Sequence, residues 1–151
     1  MRPKKPADPD ALLKRMAGLC AKSEQCTFDI NTKLYKAGLP KDKREELINY
    51  LTENRYLDDA RYARAFASYK VRFSSWGKRK IKMALYAKRI DSEHIARALD
   101  AIDPQDYLDA LHRAIEAQKK NLDLSDRAQR AKLYNHLLSR GFESELIHKM
   151  I

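Results

Sequence analysis

The sequence predicts an all-α protein of about nine helices, arranged as three tandem three-helix modules in an elongated helical-repeat arc. Three observations predict it. Glycine (4) and proline (5) are scarce among 151 residues while 34% are charged, a composition that favours helix. No segment alternates apolar and polar residues over a useful length, so no sheet is expected. One apolar pattern also recurs: Ile30, Leu34, Leu39 and Ile48 are spaced like Ile81, Leu85, Ile90 and Leu99, and again like Leu133, Leu137, Phe142 and Ile151, at offsets of 51 and 52 residues.

Each element has its own punctuation. Residues 1–8, with Arg2, Lys4, Lys5, Pro3 and Pro6, read as a disordered basic tail. Asp8 before Pro9 reads as N-cap and first helical residue, opening a helix over 9–22. Helices over 27–37 and 40–53 complete a first module, 9–55, with Gly38 as the left-handed stop between them. Asp58, Ser75 and Asp91 read as caps for helices over 58–73, 75–88 and 92–101, which form the second module, 56–102. Asp103 before Pro104 repeats the opening device, and Ser125 and Gly141 punctuate the last module, 103–151, with helices over 104–120, 125–139 and 143–151.

The formal net charge is +10, from 31 Lys plus Arg against 21 Asp plus Glu, which points to a polyanion or an acidic protein surface as partner. Its distribution is uneven. Residues 60–90 hold ten basic side chains and no acidic one, so the middle of the chain carries the whole net charge. A merely solvated helical surface mixes both signs and gains i,i+4 pairs, so this block reads as a contact surface. On a helical wheel Tyr62, Phe66, Tyr69 and Phe73 share one face, and their spacing reads as a buried stripe. Arg61, Arg64, Ser68 and Arg72 share another face, free to bind. In the next helix Lys78, Lys82 and Arg89 lie on one stripe with Tyr86, and Arg79 lies alongside, a mixture of cations and π surface suited to nucleic acid. Lys70, Lys80 and Lys88 complete the candidate set, and Trp76 reads either as a plug between modules or as a platform for a base.

No catalytic constellation can be assembled, and no enzyme, cofactor or metal is expected. His94, His112, His136 and His148 are scattered, the glycines are isolated, and Asp58 with Asp59 opens a helix, where carboxylates cap. No apolar run approaches the roughly 18 residues needed to cross a bilayer, and no leader is recognisable, so a cytoplasmic monomer is expected. Cys20 and Cys26 fit neither a redox pair nor a zinc site and read as reduced structural thiols.

The stretch YLDDARYARAFASYK from Tyr56, followed by WGKRKIKMALYAKRI from Trp76, resembles the central region of the RecX family of bacterial regulatory proteins. Asp58, Asp59, Tyr62, Ala63, Gly77, Ile81, Leu85, Lys88 and Ile90 fill the family's positions, while Arg55 and Arg89 stand where the family usually has glycine. The resemblance implies a helical-repeat protein that lies in the groove of the RecA filament on single-stranded DNA and restrains recombinase, ATPase and co-protease activity. The residues by themselves leave open a direct DNA-binding protein that acts without RecA.

Overall fold

In a computed structural model that describes residues 7–151, nine helices and no strand are found among the described residues. They are α1 (Pro9–Lys22), α2 (Thr27–Lys36), α3 (Lys41–Glu53), α4 (Asp59–Ser74), α5 (Lys78–Ala87), α6 (Ser92–Asp100), α7 (Pro104–Lys119), α8 (Arg127–Ser139) and α9 (Ser144–Met150). Residues 1–6 of the expected tail lie outside the described residues. Its last two are part of the fold: Asp8 caps α1 by accepting the N–H of Asp10 at 3.1 Å, and Ala7 packs against the first core.

Asp58, Asp91 and Asp103 also cap as their positions predict. Two expected caps do not. Ser75 ends α4 instead of starting α5, because it takes a left-handed conformation (φ 51°), and α5 begins only at Lys78 behind Gly77. Ser125 gives way to Asp126, because the Asp123 carboxylate holds both the N–H and the hydroxyl of Ser125 in a turn, at 3.0 and 2.6 Å. Gly38 and Gly141 do adopt the left-handed conformation, at φ 86° and 97°.

The buried side chains form two clusters rather than three. Leu12, Met16, Ile30, Leu34, Leu39, Leu47, Leu51 and Leu57 make a core for α1–α3. A second core runs through α4–α9, from Ala63, Ala67 and Val71 to Leu133, Leu137 and Phe142, and takes in Cys26 from the start of α2. The recurring pattern supplies buried residues at its first three positions in every unit: Ile30, Leu34 and Leu39, then Ile81, Leu85 and Ile90, then Leu133, Leu137 and Phe142.

The α4 stripe is a correction. The side chains that α4 buries are Ala63, Ala67 and Val71, while Tyr69 and Phe73 are 57% and 69% exposed and Tyr62 and Phe66 are half-buried. The cause is the close approach of α4 to α6, which packs against it more extensively than any other helix does. Small side chains let two helix backbones approach, and rings would hold them apart.

Candidate nucleic-acid interface

The basic block sits on α4, α5 and the corner between them; the first unit meets the start of α4, and the last unit fixes the corner. The Asp58 carboxylate accepts the N–H of Arg61 at 3.1 Å, and that of Asp59 accepts the N–H of Thr27 at the start of α2, at 2.8 Å. Both carboxylates are therefore caps, one for its own helix and one for another. At the other end, Arg113 donates to the carbonyls of Val71 and Arg72 at 2.9 and 3.0 Å, and Arg140 donates to that of Ser74. These guanidiniums meet the carbonyls left over at the C-terminus of α4.

The start of α5 is closed off by the last unit. Gly77 N–H donates to the Arg140 carbonyl at 2.8 Å, Lys78 N–H to the Tyr107 hydroxyl at 2.9 Å, and Arg79 N–H to the Gly141 carbonyl at 3.0 Å. Glycine is required here, since a Cβ on Gly77 would lie 2.2 Å from the carbonyl carbon of Gly141. The Tyr107 hydroxyl in turn donates to the Glu143 carboxylate at 2.9 Å, and burial raises its pKa far above the ordinary phenol value. His136 lies at the same seam, where burial and then the charges of Arg140 and Lys80 lower its pKa. These three amides are occupied, so the cations beside them act through their side chains.

The eleven candidate residues fall into three groups. Arg61, Lys88 and Arg89 face the first unit: Arg61 pairs with Glu24 at 2.5 Å, Lys88 with Asp29 at 2.7 Å, and the Arg89 guanidinium lies 5.2 Å from the centre of the Phe28 ring. Arg61 is thus not free, because α4 begins beside the α1–α2 connection. Lys70, Lys78, Lys80 and Trp76 form a second group. The ammonium groups of Lys70 and Lys80 lie 4.4 and 4.5 Å from the Trp76 ring, Phe66 meets that ring edge-on at 6.3 Å, and Lys78 lies 5.1 Å from the ring of Tyr107. Arg64, Arg72, Arg79 and Lys82 form the third group. All four are exposed, and none makes an ion pair with a carboxylate among the described residues.

Beside the third group lie exposed large side chains: the sequence placed Tyr69 and Phe73 in the core, passed over Met83, and put Tyr86 on the cationic stripe, where it is indeed exposed. Tyr69 and Phe73 pack ring to ring at 5.0 Å on α4, and Arg72 lies 5.6 Å from the Phe73 ring. On α5, Met83 and Tyr86 are exposed near Lys82 in sequence. The missed signal was the run Ala63, Ala67 and Val71, whose spacing of four marks a buried face as well as the rings do.

Two family models match this chain: the second three-helix domain of RecX over residues 58–99 and the third over 105–151, together more than half its length. A relative from Vibrio parahaemolyticus named regulatory protein RecX is 30% identical over 129 residues, which is 85% of this chain and 82% of that one. The chain belongs to the RecX family. A crystal structure of a regulatory protein RecX superposes with a TM-score of 0.80 at 21% identity, over 95% of this chain and 70% of the other. The crystal structure of RecX from Lactobacillus salivarius gives a TM-score of 0.77 at 20% identity, over 93% and 92%. At those identities the likeness establishes the three-helix RecX architecture.

Both departures from the RecX pattern keep the backbone that glycine would have adopted. Arg55 has φ 61° and Arg89 has φ 56°. Among the described residues no group of three or more His, Cys, Asp or Glu side chains converges as a metal site, and no helix is long and apolar enough to cross a membrane.

Proposed function

We propose that this chain binds the RecA filament assembled on single-stranded DNA and inhibits its recombinase, ATPase and co-protease activities. In this reading, residues 56–102 are the contact module between flanking modules 9–55 and 103–151. Arg64, Arg72, Arg79 and Lys82 supply the primary contacts. Lys70, Lys78 and Lys80 add charge from their places on the rings, and Arg61, Lys88 and Arg89 hold the first module in position. The observation that carries the reading is an acid-free block of 31 residues with four exposed cations that have no carboxylate partner among the described residues. RecX membership supports RecA as the partner.

Four to seven phosphate contacts on a single strand predict a loss of affinity of about 50- to 900-fold between 50 and 200 mM salt. The triple variant Arg64→Glu, Arg72→Glu, Lys82→Glu should abolish inhibition of RecA-dependent ATP hydrolysis while shifting the unfolding midpoint little, since exposed charges are worth about 0–1 kcal/mol each. A triple variant that stays folded and still inhibits would place the contact surface elsewhere. A second reading, direct binding to DNA without RecA, draws on the exposed rings of Tyr69, Phe73 and Tyr86, on which bases can stack. Equal affinity for bare and RecA-coated strands at one salt concentration would favour it; preference for the coated strand supports the filament.

A further inference from the structure

The last module looks nearly neutral as a whole, but its charge is divided. Residues 103–126 hold three basic and six acidic side chains, whereas residues 127–151 hold five basic and two acidic. The basic part coincides with a cavity of about 440 Å³ between α8 and α9, lined by Arg127, Arg130, Ala131, Tyr134, His148 and Ile151. No acidic side chain lines it. Arg127 and Arg130, one turn apart on α8, are exposed and form no ion pair among the described residues. Across the cavity the rings of Tyr134 and His148 stack at 4.8 Å with 27° between their planes. The Tyr134 hydroxyl shares a hydrogen bond with the Ser144 hydroxyl at 2.7 Å, which fixes that ring against the start of α9, while His148 remains exposed.

We propose that this cavity is a second contact site for single-stranded nucleic acid, in which Arg127 and Arg130 take a backbone phosphate and the His148–Tyr134 pair takes a base. Two guanidiniums a turn apart suit phosphate oxygens, and a stacked pair of rings offers a planar surface to any base without sequence preference. The alanine at 131 leaves the space between them open. With the central block as the first contact, a strand or strand-bearing filament is held at two places, so each contact raises the effective concentration of the other. The inference rests on the reading of the chain as a strand-binding protein, but uses none of the central residues.

The test is titration of a labelled 20-nucleotide oligothymidylate with the full chain. Arg127→Glu with Arg130→Glu should weaken binding about tenfold or more and flatten the salt dependence by about 0.7 in the log–log slope, the share of one phosphate on a single strand. The control Lys14→Glu with Arg15→Glu makes the same charge change on exposed positions of α1 and should do much less. His148→Ala should weaken binding of oligothymidylate about fivefold or more while leaving an abasic oligonucleotide unaffected, because only the base is lost from the stack. In the wild-type chain, the oligonucleotide should shift the amide signals of residues 127–131 and the imidazole signals of His148.

If the α8 double variant behaves like the α1 control and those signals stay still, the second site is overturned, whatever the central triple variant does. If the central triple variant binds bare and RecA-coated strands normally while the α8 variant fails, the second site stands and the proposed central surface falls.

Discussion

Arg55, Ser75 and Arg89 hold a positive φ without being glycine. The left-handed conformation costs an L-residue about 1 kcal/mol relative to glycine, part of which glycine returns through its larger entropy loss on folding. Arg55 is exposed, and its hydrogen bonds within the fold are made by its backbone: its N–H donates to the Thr52 carbonyl at 3.1 Å and its carbonyl accepts from Arg61 at 3.2 Å. Arg55→Gly should therefore raise stability by about 0.5–1 kcal/mol, read as a higher urea midpoint at unchanged slope. Arg89 has a counterweight, because its guanidinium lies over Phe28 and such a contact is worth about 0.5–1 kcal/mol. Arg89→Gly should leave the midpoint nearly unmoved. Cys26 gives a pH prediction at the same scale. Burial, with the charges of Asp29 and Asp59 adding to it, pushes its thiol from the usual 9.0 up to about 11. A pKa raised in the folded state means that the thiol form stabilises the fold fully below pH 9, and that this contribution is lost as pH rises towards 11. Urea midpoints should fall over that interval, and by less in Cys26→Ala.

At the scale of the helix, α4 separates what packs from what is merely apolar. Ala67 is fully buried on α4, so Ala67→Leu forces extra methylenes into a closed space and should destabilise by about 1–3 kcal/mol. Phe73→Ala removes far more apolar surface from an exposed position and should change stability by no more than about 0.5 kcal/mol. Thermal unfolding of the two variants decides between small side chains and rings as the α4 core. The same contrast explains which features the sequence made legible. Helix positions were readable because Asp8, Asp58, Asp91 and Asp103 satisfy local N–H groups, and local chemistry survives folding. Ser75 misled because the start of α5 is set by carbonyls of Arg140 and Gly141, more than sixty residues away. The basic block was legible as charge. Its division into free and engaged cations was not, because Glu24 and Asp29 reach Arg61 and Lys88 only once α1 and α2 are folded beside them.

Across the whole molecule, the accessible surface is 10377 Å², against about 7,900 Å² for a compact monomer of 17.6 kDa. The two cores give the reason: α4–α9 share one apolar interior, while α1–α3 enclose their own. What joins them is Cys26 and Phe28 seated against the larger core, the Asp59 cap on Thr27, and the pairs Arg61–Glu24 and Lys88–Asp29. A compact chain of this length would have a radius of gyration near about 15 Å, and solution scattering should give a value clearly above it. Salt should then act unevenly. At 1 M salt the screening length falls to about 3 Å, which weakens half-exposed ion pairs and leaves apolar burial intact. The junction between α1–α3 and α4–α9 should loosen first, so the radius of gyration should rise with salt while helicity stays constant. Glu24→Gln with Asp29→Asn should reach the expanded value already at low salt. An unchanged radius in both experiments would mean that the seating of Cys26 and Phe28, with the Asp59 cap on Thr27, holds the first unit in place, and that the ion pairs of Arg61 and Lys88 contribute nothing to the joint.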